Sequence, residues 1–358
     1  MSLVLYRDVS AQPFIPATGS RAETTLPVID LSAADDPVRV EAFREALHEA
    51  AHRVGFFQLV GHGVEADEAD ELLELVRRFF ALPEAHRLAL SNIASPHFRG
   101  YTRIGHELTA GRSDWRDQLD VGPELPPLPL GPEDPAYLWL QGPNLWPDDD
   151  LPELRTGILA WQDRLAAIGH RLLQELLVSL DAPRDFFDDA FSGHPHLHTK
   201  LVRYPGRAPD GSRQGVGWHK DYGLLTLLLQ DENGGLEVQG SDGGVIHVDP
   251  IRGAFVVNLG ELLEIATRGY LVATNHRVVS PASGVERYSV PFFYNPRLDA
   301  RIETVPGGYL DDAPGVVRDP ANRLYQVFGW NELKGYLRSH PEVAARYHPG
   351  VEVRFPDS

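Results

Sequence analysis

Cysteine is absent from all 358 residues. That one absence removes disulfides, thiolate nucleophiles, zinc–thiolate centres and iron–sulfur clusters together. Methionine occurs only as Met1, and lysine only as Lys200, Lys220 and Lys334 among 33 basic residues. No apolar run reaches the roughly 18 to 20 residues that a membrane-spanning helix needs. The opening segment Met1–Ser20 carries Pro13 and Pro16 and lacks the basic start and apolar stretch of a secretory leader. A cytoplasmic protein without a membrane partner is therefore expected. Positive charge is scarce as well: 33 Lys and Arg stand against 51 Asp and Glu, for a formal net charge of -18. Such a balance disfavours nucleic acid and anionic membranes as partners. A local arginine can still override the net field for a small anion. GxGxxG, GxxxxGK[ST] and GxSxG are all missing, which removes the usual dinucleotide, P-loop and serine-hydrolase signatures.

What is present divides by texture. Leu26–Leu31 and Phe56–Val60 have the apolar character of short strands. Val40–Val54 and Ala66–Phe80 carry apolar residues at helical spacing, with Phe43, Leu47, Ala50 and Val54 on one face of the first. Residues 83–150 are loop-rich, with prolines crowded between Pro123 and Pro147. The longest helical pattern is Leu154–Leu180, striped by Ile158, Trp161, Leu165, Ile168, Leu172 and Leu176. Short strands separated by glycine-rich turns follow: Lys200–Tyr204, Leu224–Gln230, Leu236–Gln239, Val245–Val248, Ala254–Leu259, Ala273–Val279 and Tyr288–Tyr294. Helix returns near Leu324–Leu337. Strands this short and close argue for a sandwich, jelly roll or barrel inside a helical shell. Neither an internal repeat nor a low-complexity tract interrupts the pattern.

Within the β-rich part, Gly217-Trp218-His219-Lys220-Asp221 places His219 and Asp221 two residues apart, a spacing that points both to one face of a strand. His276 follows in Asn275-His276-Arg277. Two imidazoles and one carboxylate can cover one face of an iron(II) ion and leave three positions open, the arrangement of non-haem iron oxygenases. Arg287-Tyr288-Ser289 adds a guanidinium and a hydroxyl suited to gripping a carboxylate. Alone, each histidine of the 15 is far more often a hydrogen-bonding group than a ligand; the signal lies in the combination. A rival motif, His48-Glu49-Ala50-Ala51-His52, is a literal HExxH that could bind zinc with Glu49 as base. Gln58 stands where a third metzincin histidine belongs, and no Met-turn is possible. The motif fits better as the polar stripe of a helix.

These segments together resemble the isopenicillin N synthase-like branch of the iron(II)/2-oxoglutarate-dependent oxygenases. The likeness runs through Leu26-Pro-Val-Ile-Asp-Leu31, Gly55-Phe-Phe-Gln-Leu-Val-Gly-His-Gly-Val64, Arg99-Gly-Tyr101 and Gly142-Pro-Asn-Leu-Trp-Pro147. It continues through His219-Lys-Asp221, Leu225-Thr-Leu-Leu-Leu-Gln-Asp231, Gly253-Ala-Phe-Val-Val-Asn-Leu-Gly-Glu-Leu-Leu-Glu264, His276-Arg-Val278 and Arg287-Tyr-Ser-Val-Pro-Phe-Phe293. Val202 and Gly61 depart from it, each standing where many relatives carry asparagine.

The resemblance implies an α+β fold, a double-stranded β-helix (jelly-roll, cupin-like) core flanked by helices. Residues 1–150 would form the amino-terminal helix and strand region, 151–195 a long supporting helix, 196–300 the jelly-roll core and 301–358 a carboxy-terminal helical lid, all in one compact unit. It further implies that His219, Asp221 and His276 bind Fe(II). Arg287 and Ser289, helped by Tyr204, would bind the distal carboxylate of 2-oxoglutarate. O2 would be consumed, succinate released and a small molecule of secondary metabolism oxidised. Hydroxylation is expected, with desaturation or cyclisation as other outcomes. Substrate contacts are expected at Arg99, Tyr101, Arg103, Trp115, Phe293 and Tyr325, in a monomer. Two alternatives remain: an oxidase of the same fold in which Arg287 and Ser289 hold the substrate's own carboxylate, and zinc proteolysis through His48, Glu49 and His52.

Overall fold

The computed structural model describes residues 25–207, 211, 214–316 and 322–351. Met1–Ser20, where a leader would lie, falls outside the described residues. Two β-sheets face each other. The large one has eight strands in the order Val28–Asp30, Phe56–Val60, Phe255–Leu259, Leu225–Gln230, Arg287–Tyr294, His198–Tyr204, Asp117–Val121 and Gly100–Thr102. The smaller has four, in the order Val245–His247, Leu236–Gln239, His276–Val279 and Gln214–His219. All pairings within both sheets are antiparallel except that of Val28–Asp30 with Phe56–Val60.

Strand alternation sorts the side chains of the large sheet into two cores, since successive residues point to opposite faces. Leu201, Leu225, Leu227, Leu229, Phe255, Val257, Val290 and Phe292 face outward and are buried. Against them lies the helix Glu153–Ser179, which presents Leu154, Ile158, Leu165, Leu172 and Leu176. Val202, Tyr204, Val256 and Phe56 face inward and meet Val216, Leu236, Val238, Ile246 and Val278 inside the roll. Two layers of strands around one interior form the expected jelly roll, with helices outside.

The helices Val40–Arg53, Ala66–Ala81 and Glu153–Ser179 fall within a residue or two of the sequence reading. The strands Arg287–Tyr294, Leu225–Gln230 and Phe255–Leu259 do also. The loop-rich reading of 83–150 needs correction. Gly100–Thr102 and Asp117–Val121 extend the large sheet, which therefore runs across both halves of the chain. The last long helix begins later than expected, at Phe328. Asn331 fixes its start: its Oδ1 accepts from the Tyr325 backbone N–H at 2.8 Å, and its Nδ2 donates to the Tyr325 carbonyl at 2.7 Å. Gly61 is a glycine for a local reason. Its φ is +62°, and a Cβ there would lie 1.9 Å from Asp30 Oδ1.

His48 has no nitrogen free for zinc, and the HExxH residues are in neither of the clusters among the described residues that could hold a metal. His48 bonds the Ser179 carbonyl and the Tyr270 hydroxyl, each at 2.8 Å. His52 bonds the Tyr270 carbonyl at 2.6 Å and stacks on its ring, while Glu49 pairs with Arg53. We expect His48→Ala to cost about 1–3 kcal/mol in urea unfolding through its lost hydrogen bonds. The succinate release that the resemblance implies should be unchanged in the folded variant. A dead but folded variant would restore the protease reading.

Candidate active site

Antiparallel register places His276 directly across from His219 in the small sheet. That strand stops at His219, so Asp221 belongs to the turn beyond it rather than to the same strand face. The turn is pinned closely. Glu261 N–H donates to the Asp221 carbonyl at 2.7 Å, and Gly260 N–H to the Leu224 carbonyl at 2.9 Å. A Cβ on Gly260 would sit 2.2 Å from the Gly223 carbonyl oxygen, so no larger residue fits.

The result is a focused donor set. His219 Nδ1 donates to the Gly217 carbonyl at 2.8 Å and His276 Nδ1 to the Thr274 carbonyl at 3.1 Å. A carbonyl only accepts, so Nδ1 carries the proton and Nε2 keeps its lone pair. The Asp221 oxygens divide the work. Oδ2 accepts from Thr226 Oγ1 at 2.6 Å and Asn258 Nδ2 at 2.8 Å. Oδ1 stands 3.7 Å from His219 Nε2 and 3.8 Å from His276 Nε2. Burial pushes His219 down, and burial with the neighbouring His219 takes His276 to about 4. Burial alone would raise Asp221, but the facing imidazoles and its two donors outweigh it and hold the carboxylate ionised. Two neutral imidazoles and one carboxylate, all aimed at one point, suit a divalent metal such as iron(II).

Arg287 lies deeper and is fully buried. Its Nη2 donates to Gln230 Oε1 at 3.0 Å, its Nη1 to Ser289 Oγ at 3.3 Å, and its guanidinium lies 4.9 Å from the centre of the Tyr204 ring. Among the described residues no carboxylate lies within 4 Å of it. A buried cation without a counter-ion costs several kcal/mol, so a small anion beside it would be favoured.

Both sets open into one cavity of about 1800 Å³. All three lysines of the chain stand on its wall. Lys200 pairs with Glu107 at 2.8 Å, and Lys220 with Glu264 at 3.2 Å. Lys334 donates to Asn322 Oδ1 at 2.9 Å. Arg116 Nη2 is 2.6 Å from Glu107. Burial pushes Glu261 up to about 7. Its proton is therefore held more tightly in the folded state than at the ordinary value of 4.5. Relative to Glu261→Gln, the wild type should be as stable below pH 4.5 and lose ground as pH rises to 7. The expected loss above pH 7 is on the order of 2–3 kcal/mol, read from urea unfolding at pH 4.5 and 8. A gap that does not change with pH would contradict this.

The expected substrate contacts divide. Phe293 and Tyr325 line the cavity. The other four do not, which corrects the sequence expectation. Arg99 is fully buried as a cross-link to the carbonyls of His97 (3.2 Å) and Leu140 (3.0 Å). Tyr101 donates to Asp117 Oδ2 at 2.8 Å, beside Arg87. Arg103 is exposed and Trp115 half-buried, both off the cavity wall. Sequence reasoning missed Thr226, Asn258 and Gln230, which orient Asp221 and Arg287, although all three lie in segments that resemble the family. It also missed a second buried cluster, His196, His198 and Glu332, whose ligand atoms lie within 4.8 Å of one another.

A jelly roll holding two imidazoles and a carboxylate beside an unpaired buried guanidinium is the framework of a non-haem iron oxygenase. Comparison with known proteins gives the family. Residues 26–149 match the model of the non-haem dioxygenase in morphine synthesis N-terminal region, and residues 196–296 that of the 2OG-Fe(II) oxygenase superfamily. The chain is 32% identical over 347 residues to the 2-oxoglutarate-dependent dioxygenase frbJ of Dothideomycetidae sp. (strain 11243), covering 92% of this chain and 93% of the relative. It is 32% identical over 293 residues to a homoarginine-6-hydroxylase of Arabidopsis thaliana, covering 78% and 87%. The crystal structure of JOX2 in complex with 2OG, Fe and JA superimposes with a TM-score of 0.66 at 28% identity, covering 95% of each chain. The chain belongs to the 2OG-Fe(II) oxygenase superfamily: it is an Fe(II)/2-oxoglutarate-dependent dioxygenase that uses O2 and oxidises a small molecule. No helix among the described residues is long and apolar enough to cross a membrane.

Proposed function

We propose that His219 Nε2, Asp221 Oδ1 and His276 Nε2 hold the iron, and that Arg287 and Ser289, with Tyr204 alongside, bind the distal carboxylate of 2-oxoglutarate. The reaction is hydroxylation of a C–H bond of a small molecule seated in the cavity against Phe293 and Tyr325. The observation that carries this reading is the buried Arg287 without a carboxylate, opening into the cavity that the three metal-facing atoms also line. Of the two buried clusters, His196–His198–Glu332 suits a metal less well, because both nitrogens of His198 are engaged, by Asp120 and by Tyr336.

Bound at the triad, iron supplies the redox chemistry that couples decarboxylation of 2-oxoglutarate to oxidation of the substrate. The chain's own residues do the rest. Thr226 and Asn258 hold Asp221 so that only Oδ1 is offered, and the Gly217 and Thr274 carbonyls fix both imidazole tautomers. Gln230 keeps the Arg287 fork oriented at the cavity wall. The helix Phe328–Ser339 walls the cavity and limits water near the reacting bond.

The test is a metabolite screen, homoarginine included, with the purified protein, Fe(II) and 2-oxoglutarate. Substrate-dependent succinate release with an oxygenated product is expected. Substrate turnover without succinate would instead favour the oxidase in which Arg287 holds the substrate.

A further inference from the structure

Glu332 sits on the cavity wall and is 3% exposed, yet among the described residues no ammonium or guanidinium lies within 4 Å of it. Its nearest polar neighbours are His196 Nε2 at 3.4 Å and His198 Nδ1 at 3.7 Å, both too far for strong hydrogen bonds. Other acids at this end are matched: Glu107 by Lys200 and Arg116, and Asp120 by Lys200 at 3.6 Å and His198 at 3.0 Å. Glu261, which has Lys220 and Lys334 nearby, is nevertheless pushed up to about 7 by burial and sheds its charge by binding a proton. Glu332 does the opposite. Burial would raise it, but hydrogen bonding from the His196 and His198 imidazoles outweighs that and lowers it to about 2. His196 itself is pushed by burial to about 4 and brings no positive charge.

The surroundings complete a recognisable chemistry. Glu332, Gly335 and Tyr336 share one face of the Phe328–Ser339 helix at i, i+3 and i+4. Gly335 leaves room for Tyr222, whose hydroxyl oxygen would be 2.1 Å from a Cβ there. Tyr222, Tyr336 and Phe293 all line this end. Asn295 Oδ1 and His196 Nε2 are buried there without a hydrogen-bond partner. Phe293 pairs with His198 across the sheet, six residues along the strand from Arg287, or about 20 Å. A buried anion framed by aromatic faces selects an organic cation.

We propose that Glu332 determines substrate specificity: the substrate carries an amine or guanidinium group that seats against Glu332 among Tyr222, Tyr336 and Phe293. The bond to be oxidised then lies between that anchor and the 2-oxoglutarate end. This inference rests on the oxygenase reading of the cavity.

The test compares n-butylguanidinium with n-butylurea, near-isosteres that differ in charge, by calorimetry on the full chain loaded anaerobically with Fe(II) and 2-oxoglutarate. The visible charge-transfer band of 2-oxoglutarate on iron is recorded in the same sample. The cation should bind at least about tenfold tighter than the urea. Glu332→Gln should remove that preference and leave the band in place, and Glu332→Asp, which keeps the charge, should retain it. Equal affinity of the two probes for the wild type, including no binding of either, overturns the proposal without any variant. So does a preference that survives in Glu332→Gln. Uptake of a second metal equivalent that Glu332→Gln abolishes would make the residue a ligand and overturn it too. A cation preference without the band sinks the oxygenase assignment alone; the band without the preference sinks only this inference.

Discussion

Asp221→Ala protein should lose at least about a hundredfold in Fe(II) affinity and about a thousandfold in succinate release. Asp221 is the one anionic donor of its set, and the two imidazoles beside it are neutral. Its loss leaves a divalent ion without charge compensation in a buried place. Substitutions one shell further out already cost about 10–100-fold in comparable sites, so removal of the ligand itself must cost more. The fold should survive, because Thr226 and Asn258 lose only one acceptor oxygen, worth about 1–3 kcal/mol each at most. Iron content after anaerobic desalting, together with succinate release under saturating Fe(II), reads both effects. Near-normal iron retention would remove Asp221 from the site.

Arg287→Met should raise the KM for 2-oxoglutarate by at least about a hundredfold. Breaking one side of a buried ion pair costs about 3–5 kcal/mol, and each 1.4 kcal/mol is about a factor of ten. Arg287 is fully buried, and the cosubstrate carboxylate would be its sole anionic partner, so little screening by water softens the loss. Methionine keeps the bulk of the side chain against Tyr204. Arg287→Lys should recover part of the affinity, since it keeps the charge and loses the planar fork. The iron site is built from other strands, so iron affinity should hold in both variants. An unchanged KM would mean that Arg287 holds something else.

Why some of this was legible in the chain and some was not follows from how local each signal is. His219, Asp221 and His276, the ligands proposed above, stand out in the sequence because metal chemistry demands those residue types, and the His219–Asp221 spacing is short. The strands Leu225–Gln230 and Arg287–Tyr294 are apolar enough to declare themselves. Asp117–Val121 did not, because Asp117, Gln118 and Asp120 make it look like surface loop. Their burial is compensated by Arg87, Arg203 and Lys200, partners scattered along the chain. Gln214–His219 was hidden by Gly215, which is needed where a Cβ would come 2.8 Å from the Tyr204 ring. Arg99 misled for the opposite reason. It lies in a segment that resembles the family, but the guanidinium is spent on backbone carbonyls. Glu332 carries no signal in the sequence, because only the tertiary fold turns its side of the Phe328–Ser339 helix onto a cavity.

The most direct measurement is anomalous diffraction from crystals grown with Mn(II) in place of iron and with 2-oxoglutarate. One strong metal peak is expected within bonding distance of His219 Nε2, Asp221 Oδ1 and His276 Nε2, with 2-oxoglutarate reaching from it to Arg287 and Ser289. A peak between His196, His198 and Glu332 with the first triad empty, or a cosubstrate lying away from Arg287, would contradict the account.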